Sequence, residues 1–162
     1  MVCWSVRHVV KWIALGIALA QAAAAMAGPP SPVTPDVRTT LESWPEQAVS
    51  RDLSKLPPGV ATLCADSNGR FAAPGAKWEP TDYIQDAELP RARLIWFTRV
   101  GDRVLVHFEK GGLAHSFHLL QARLSGGSQT TVAWRASVPS ELRDYSALLG
   151  ALQRNQIFND PS

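Results

Sequence analysis

The stretch that decides the fold is 91–138, RARLIWFTRVGDRVLVHFEKGGLAHSFHLLQARLSGGSQTTVAWRASV. Four β-rich runs, 91–100, 103–110, 113–124 and 129–138, alternate with Gly101-Asp102, Gly111-Gly112 and Ser125-Gly126-Gly127-Ser128. Short glycine-bearing separators between such runs are hairpin chemistry, because tight turns need the positive φ that glycine adopts without strain. The stretch therefore reads as a four-stranded antiparallel meander.

Turn length sets register, and register sorts side chains between faces. With two-residue turns at 101–102 and 111–112, Trp96 is expected opposite His107 and Val106 opposite Phe117. A four-residue loop at 125–128 sets Leu119 opposite Trp134. One face then collects Ile95, Phe97, Val104, Val106, Phe108, Leu113, Phe117, Leu119, Val132 and Trp134, with His115 at its hairpin end. Each large apolar side chain buried there contributes roughly 1.5–3 kcal/mol, enough for this face to anchor a domain. The other face collects Leu94, Trp96, Thr98, Leu105, His107, Glu109, Ser116, His118, Leu120, Ala133 and Arg135. Mixed apolar and ionisable content on a curved sheet suits a pocket floor or a partner surface. The alternative is a half-buried face whose histidines are satisfied by internal hydrogen bonds.

The flanks read as helical. Thr34 caps and Pro35 opens a helix carrying Val37, Leu41 and Trp44 at helical spacing. Pro45 interrupts it, and a restart carries Ala48, Val49, Leu53 and Leu56 until Pro57-Pro58-Gly59. The apolar run 60–64 reads as a strand, 66–69 (DSNG) as a turn, and 81–88 as a short helix. After the meander, Pro139 begins a helix with Leu142, Tyr145, Leu148, Leu149 and Leu152 on one face, and Asn155 ends it. The fold class is α+β: a meander packed with N-terminal helices and an amphipathic C-terminal helix. In element order alone this resembles cone-shaped α+β folds such as the nuclear-transport-factor-like group. The terminal helix departs from that pattern, and the likeness implies nothing about function.

The first 27 residues read as a secretory signal. Arg7, His8 and Lys11 precede the apolar run 12–20, and Ala25-Met26-Ala27 is a small-x-small cleavage pattern before Gly28. The strongly apolar run is about half of the roughly 20 residues a spanning helix needs. Residues 28–35 (GPPSPVTP) form a proline-rich leader expected to be extended and mobile, and 36–162 form one domain. Cleavage removes Arg7 and Lys11, so the 16 basic residues fall to 14 and match the 14 acidic ones. A neutral mature chain does not support a nucleic-acid partner, and no membrane segment remains after cleavage. Cys64 is the one cysteine of the mature chain and has no partner for an internal disulfide.

The residues expected to bind a ligand or partner are Trp96, His107, Glu109, His118 and Arg135. No glycine-rich phosphate loop, CxxC pair, HExxH or GxSxG motif is present, and no cofactor is implied. The expected function is that of a small exported, non-enzymatic binding or accessory domain, of inhibitor or immunity type. Its partner is a protein or a small molecule, or a second copy meeting it face to face as a homodimer. The alternative is a small periplasmic hydrolase or metal-dependent enzyme using His107, His118 and Glu109, since two imidazoles and a carboxylate bind divalent metals. A Ser116, His118 and Glu109 arrangement is the nucleophilic variant, but a flat strand is expected to hold Ser116 and His118 apart.

Overall fold

The computed structural model describes residues 31–45, 48–84, 86–126 and 129–160. The expected signal segment and cleavage site, and leader residues 28–30, lie outside the described residues. In chain order the elements are strand β1 (Ser31–Pro32), helix α1 (Pro35–Glu42), a 3-10 turn (Leu53–Lys55) and helix α2 (Pro58–Cys64). The meander follows as β2 (Ala92–Val100), β3 (Arg103–Lys110), β4 (Ser116–Leu124) and β5 (Thr130–Val138). Helix α3 (Tyr145–Gln153) and strand β6 (Phe158–Asn159) complete it. The fold is α+β, with an antiparallel sheet ordered β1-β6-β5-β4-β3-β2.

The flanks differ from the sequence reading in four places. Residues 60–64 are helical, because Pro58 supplies a preset φ at the start of α2 and outweighs their β propensity. No helix restarts at 48–56 beyond the 3-10 turn; instead Ser50 pairs with Phe97 on the outer side of β2. The described residues of 81–88 form no helix, running instead as turn and bend, and Thr81 bridges Gly112. The last helix starts at Tyr145, where the Asp144 carboxylate accepts the Ala147 N–H at 2.8 Å, and not at Pro139. Asn155 does end it, with φ 54°. The leader is docked from Ser31 onward: β1 pairs Ser31 with Asn159 and Pro32 with Phe158.

Register follows the expectation across β2–β3 as far as Trp96, which faces His107. A bulge between Leu94 and Trp96 then shifts the pairing, so Leu94 meets Phe108 and Arg93 meets Glu109. The larger departure is between β3 and β4, where Lys110 pairs with Ser116 and His107 with Leu119. Gly111-Gly112 is not a two-residue turn. Gly111 lies flat against the backbone of Glu79 and Pro80, Gly112 bridges Thr81, and the connection runs on through His115. That odd-numbered loop flips every later side chain. A second bulge, between Gln121 and Ala122, lets Trp134 face Gln121 while Val132 faces Ala122.

Both faces of the sheet are therefore apolar. On one, Ile95, Trp96, Leu105, Leu119, Trp134 and Ala136 pack with Leu41, Trp44, Tyr145, Leu148 and Leu152 of α1, α3 and their flanks. On the other, Leu94, Phe97, Val104, Val106, Phe108 and Leu120 pack with Leu56, Val60 and Cys64 around α2. The single apolar face expected from two-residue turns is divided between these cores. Leu113 joins neither; it stands on the β3–β4 loop, 96% exposed.

Candidate functional site

The five residues expected to share one open face do not share it. Trp96, His107 and Glu109 project toward the α3 side, while His118, paired with Phe108, and Arg135, paired with Leu120, project toward the α2 side. The odd β3–β4 loop is the cause. The trio His107, His118 and Glu109 is thus split, and among the described residues no group of three or more metal-capable side chains occurs.

Trp96 and His107 are fully buried. Their rings lie 5.4 Å apart, and both side chains reach the backbone of Leu142 in the segment before α3. The Trp96 indole N–H donates to the Leu142 carbonyl, and the Leu142 N–H donates to His107 Nε2 at 2.9 Å. His107 Nδ1–H donates in turn to the His118 carbonyl at 2.9 Å, which sets the tautomer. Burial pushes the His107 pKa down to about 4; the bond to the His118 carbonyl and the charge of Glu109 oppose that fall in part. A neutral imidazole with both nitrogens engaged fastens the strand–helix connection and offers nothing to a ligand.

Glu109 lies two residues further along β3 on the same face, opposite Arg93 and Phe117. It is buried between two cations or donors: Arg93 Nε donates to Oε1, and His115 Nε2–H donates to Oε2 at 2.7 Å. Trp78 closes over them, its ring centre 5.3 Å from that of His115 in an edge-to-face arrangement and the Arg93 guanidinium 4.8 Å above its face. Trp78, Glu79, Pro80, Thr81, Leu89 and Arg93 line a groove of about 470 Å³ beside this network. Sequence reasoning placed His115 at the hairpin end but missed its partner, because the pairing depends on a loop longer than the glycines suggest.

Near the groove stand three exposed large apolar side chains. Tyr83 is 75% exposed, Ile84 48% and Leu113 96%. The Thr81–Gly112 bridge brings the two loops together, and the Arg91 guanidinium lies 3.7 Å from where a Gly112 Cβ would stand. The 81–89 loop carries Asp82, Asp86 and Glu88, all exposed, and no basic residue.

On the opposite face, the Ser116 hydroxyl and His118 Nε2 share a hydrogen bond at 2.8 Å, and His118 Nδ1 faces the Asp160 carboxylate at 3.5 Å. This corrects the expectation that the strand would hold Ser116 and His118 apart. Residues two apart on one strand share a face, and a long imidazole bridges the gap. Asp160 was missed because the residues after Asn155 carry no periodic pattern, whereas β6 pairs with β5 at Ala136 and Ser137 and delivers it. Arg135 is exposed and reaches the Leu63 carbonyl at 3.5 Å. Cys64 is fully buried, and burial raises its thiol pKa to about 12, so it stays protonated. No protein-family description, curated protein or solved structure matches this chain.

Proposed function

We propose that the chain is an exported binding domain that takes a protein partner on the end of the sheet formed by the 81–89 and 111–115 loops. The observation that carries this reading is the exposure of Tyr83, Ile84 and Leu113 on two loops that the Thr81–Gly112 bridge joins. Contiguous apolar exposure flanked by charge is characteristic of interaction sites. The Trp78–Arg93–Glu109–His115 network holds the adjoining groove rigid, which lowers the ordering cost of association. Asp82 and Asp86, exposed on the 81–89 loop beside a Glu88 that Arg70 approaches at 3.9 Å, favour a partner whose apolar centre is ringed by Lys or Arg. The N-terminal basic–apolar–small pattern supports export. Among the described residues no helix is long and apolar enough to cross a membrane.

The test is photo-crosslinking in cells that export the protein, with p-benzoylphenylalanine at Tyr83 or Leu113 and, as a control, at Glu141. The expected result is one common adduct from the first two positions, absent from the control and diminished by Asp82→Asn with Asp86→Asn. The same adducts at all three positions, or none at Tyr83 and Leu113, overturn the reading.

The Ser116–His118–Asp160 arrangement favours a second reading, a serine-dependent acyl hydrolase, since its order of groups is that of a nucleophile, base and orienting carboxylate. It ranks second because Ser116 lies on a paired strand and not on a sharp turn that presents a nucleophile. Covalent labelling of Ser116 by a fluorophosphonate, lost in His118→Gln, is its expected result; an unlabelled protein retires it.

A further inference from the structure

An open sheet has two edges, and this one guards them unequally. The β2 edge is covered. It is bulged at Leu94–Trp96, and its outer backbone is paired: Ser50 exchanges two hydrogen bonds with Phe97 at 2.8 and 2.9 Å. Ala72 receives the Leu94 N–H at 3.0 Å and donates to the Ala92 carbonyl at 2.9 Å. Arg91, Arg93 and Arg99 add charge along that side.

The opposite side ends in two-residue strands. β6 pairs with β5 only at Ala136 and Ser137, and one further bond runs from the Asp160 N–H to the Arg135 carbonyl at 3.2 Å. Pro161 follows in the sequence and has no N–H with which to continue a ladder. From Thr130 to Trp134, β5 is paired with β4 on one side and, among the described residues, with no strand on the other. Thr131, Val132 and Ala133 are exposed. The sequence from Ser125 to Trp134 holds no charged residue and no proline, so the one device that keeps edges apart here is the bulge that leaves Ala133 without a partner on β4. A groove of about 560 Å³ runs beside it, lined by Thr34, Val37, Val132, Ala133, Trp134 and Asp160 among others.

We propose that this edge pairs with the same edge of a second copy, antiparallel about a twofold axis centred near Thr131 and Val132. The surface is separate from the Tyr83–Leu113 end of the sheet and does not rest on it. A twofold contact must be self-complementary, and an antiparallel pairing of an uncharged, β-branched run with itself is. The exposed Arg135 of each copy falls at opposite ends of the pair, so like charges do not meet. Alternate side chains of the incoming strand enter the groove beside Val37 and Trp134. An edge contact of about five residues buries less than the roughly 1,200 Å² of a stable complex, so association is reversible and concentration-dependent.

Sedimentation velocity of the purified exported chain over a wide concentration range tests this, together with Thr131→Lys and Val132→Lys. Both positions are exposed, so the variants are expected to keep the wild-type melting temperature. The wild-type mass should climb toward twice the monomer as concentration rises, and both variants should stay monomeric. Amide exchange of 131–133 should slow with concentration in the wild type alone. A wild type that stays monomeric throughout, or lysine variants that still associate, overturns the proposal. So does a monomeric wild type whose 131–133 amides are protected only by an added extended peptide, which would give the edge to a foreign strand. A Tyr83→Ser variant should dimerise normally, which separates this test from that of the partner surface.

Discussion

Trp96 and His107, paired across β2 and β3, hold the two backbone polar groups of a single residue: the indole N–H takes the Leu142 carbonyl and the imidazole Nε2 takes the Leu142 N–H. Leu142 has no regular secondary structure to satisfy it, and it is buried. Removing either ring therefore orphans a buried backbone group as well as opening a cavity. His107→Ala and Trp96→Phe are expected to lower unfolding free energy by about 3 and about 2 kcal/mol respectively. Denaturant titration checks both. A loss below a few tenths of a kcal/mol for His107→Ala would show that Leu142 is held by something else.

The same histidine makes stability depend on pH. Its pKa falls from 6.5 to about 4 in the folded protein, chiefly through burial. Between those values the unfolded chain binds the proton and the folded one does not, so stability rises with pH. The effect is complete above about 6.5 and amounts to about 3 kcal/mol across the window, at about 1.4 kcal/mol per unit. His107→Gln keeps a donor and an acceptor but does not titrate. Its stability should vary much less between pH 6.5 and 4, as read by urea midpoints at each pH.

Asp66 acts at lower pH. Burial raises its pKa, but N–H donors from Arg91, Arg70 and Asn68, with the Arg70 guanidinium, outweigh that and hold it below its ordinary value. A depressed carboxylate contributes stability above its unfolded pKa and loses it as pH falls through the folded one. Asp66→Asn should cost about 1–2 kcal/mol at neutral pH and little once wild-type Asp66 is protonated. A thermal-melt series from neutral to strongly acid pH should show the two proteins converging.

Gly111 is the point where the β3–β4 loop lies on the 79–80 backbone. A methyl group there overlaps the Glu79 carbonyl and Pro80, and backbone cannot step aside as a flexible side chain would. Gly111→Ala is expected to cost about 1–3 kcal/mol. It should also loosen the 81–89 loop, seen as faster amide exchange there. Gly126→Ala, whose Cβ meets nothing within 4 Å, is the neutral comparison.

The meander was legible because glycine punctuation and β-rich runs are local signals, and the Trp96–His107 pairing followed from the short Gly101-Asp102 turn. The site was not, for a reason traceable to Gly111 and Gly112. Their chemistry fits a tight turn, yet docking against Glu79, Pro80 and Thr81 lengthens the loop to an odd count and exchanges the faces of β4. No local pattern reports a contact with residues some thirty positions away. The bulge at Ile95 has the same character: it moves Leu94 to the α2 core while the adjoining Ile95 and Trp96 both pack on the α3 side. Asp160 escaped because a two-residue strand carries too little periodicity to be seen. The Pro58 start of α2 was visible in principle, but its seven residues are as apolar as a short strand.

The pairing of Ser31 and Pro32 with Asn159 and Phe158 ties the first described strand to the last, with the Asn159 amide also donating to the Pro32 carbonyl at 2.9 Å. A chain synthesised from its N-terminus cannot close this seam until Phe158 and Asn159 have emerged. Removing the chain from Phe158 onward would therefore unpair Ser31 and Pro32 as well, and would leave the outer edge of β5 open at Ala136 and Ser137 too.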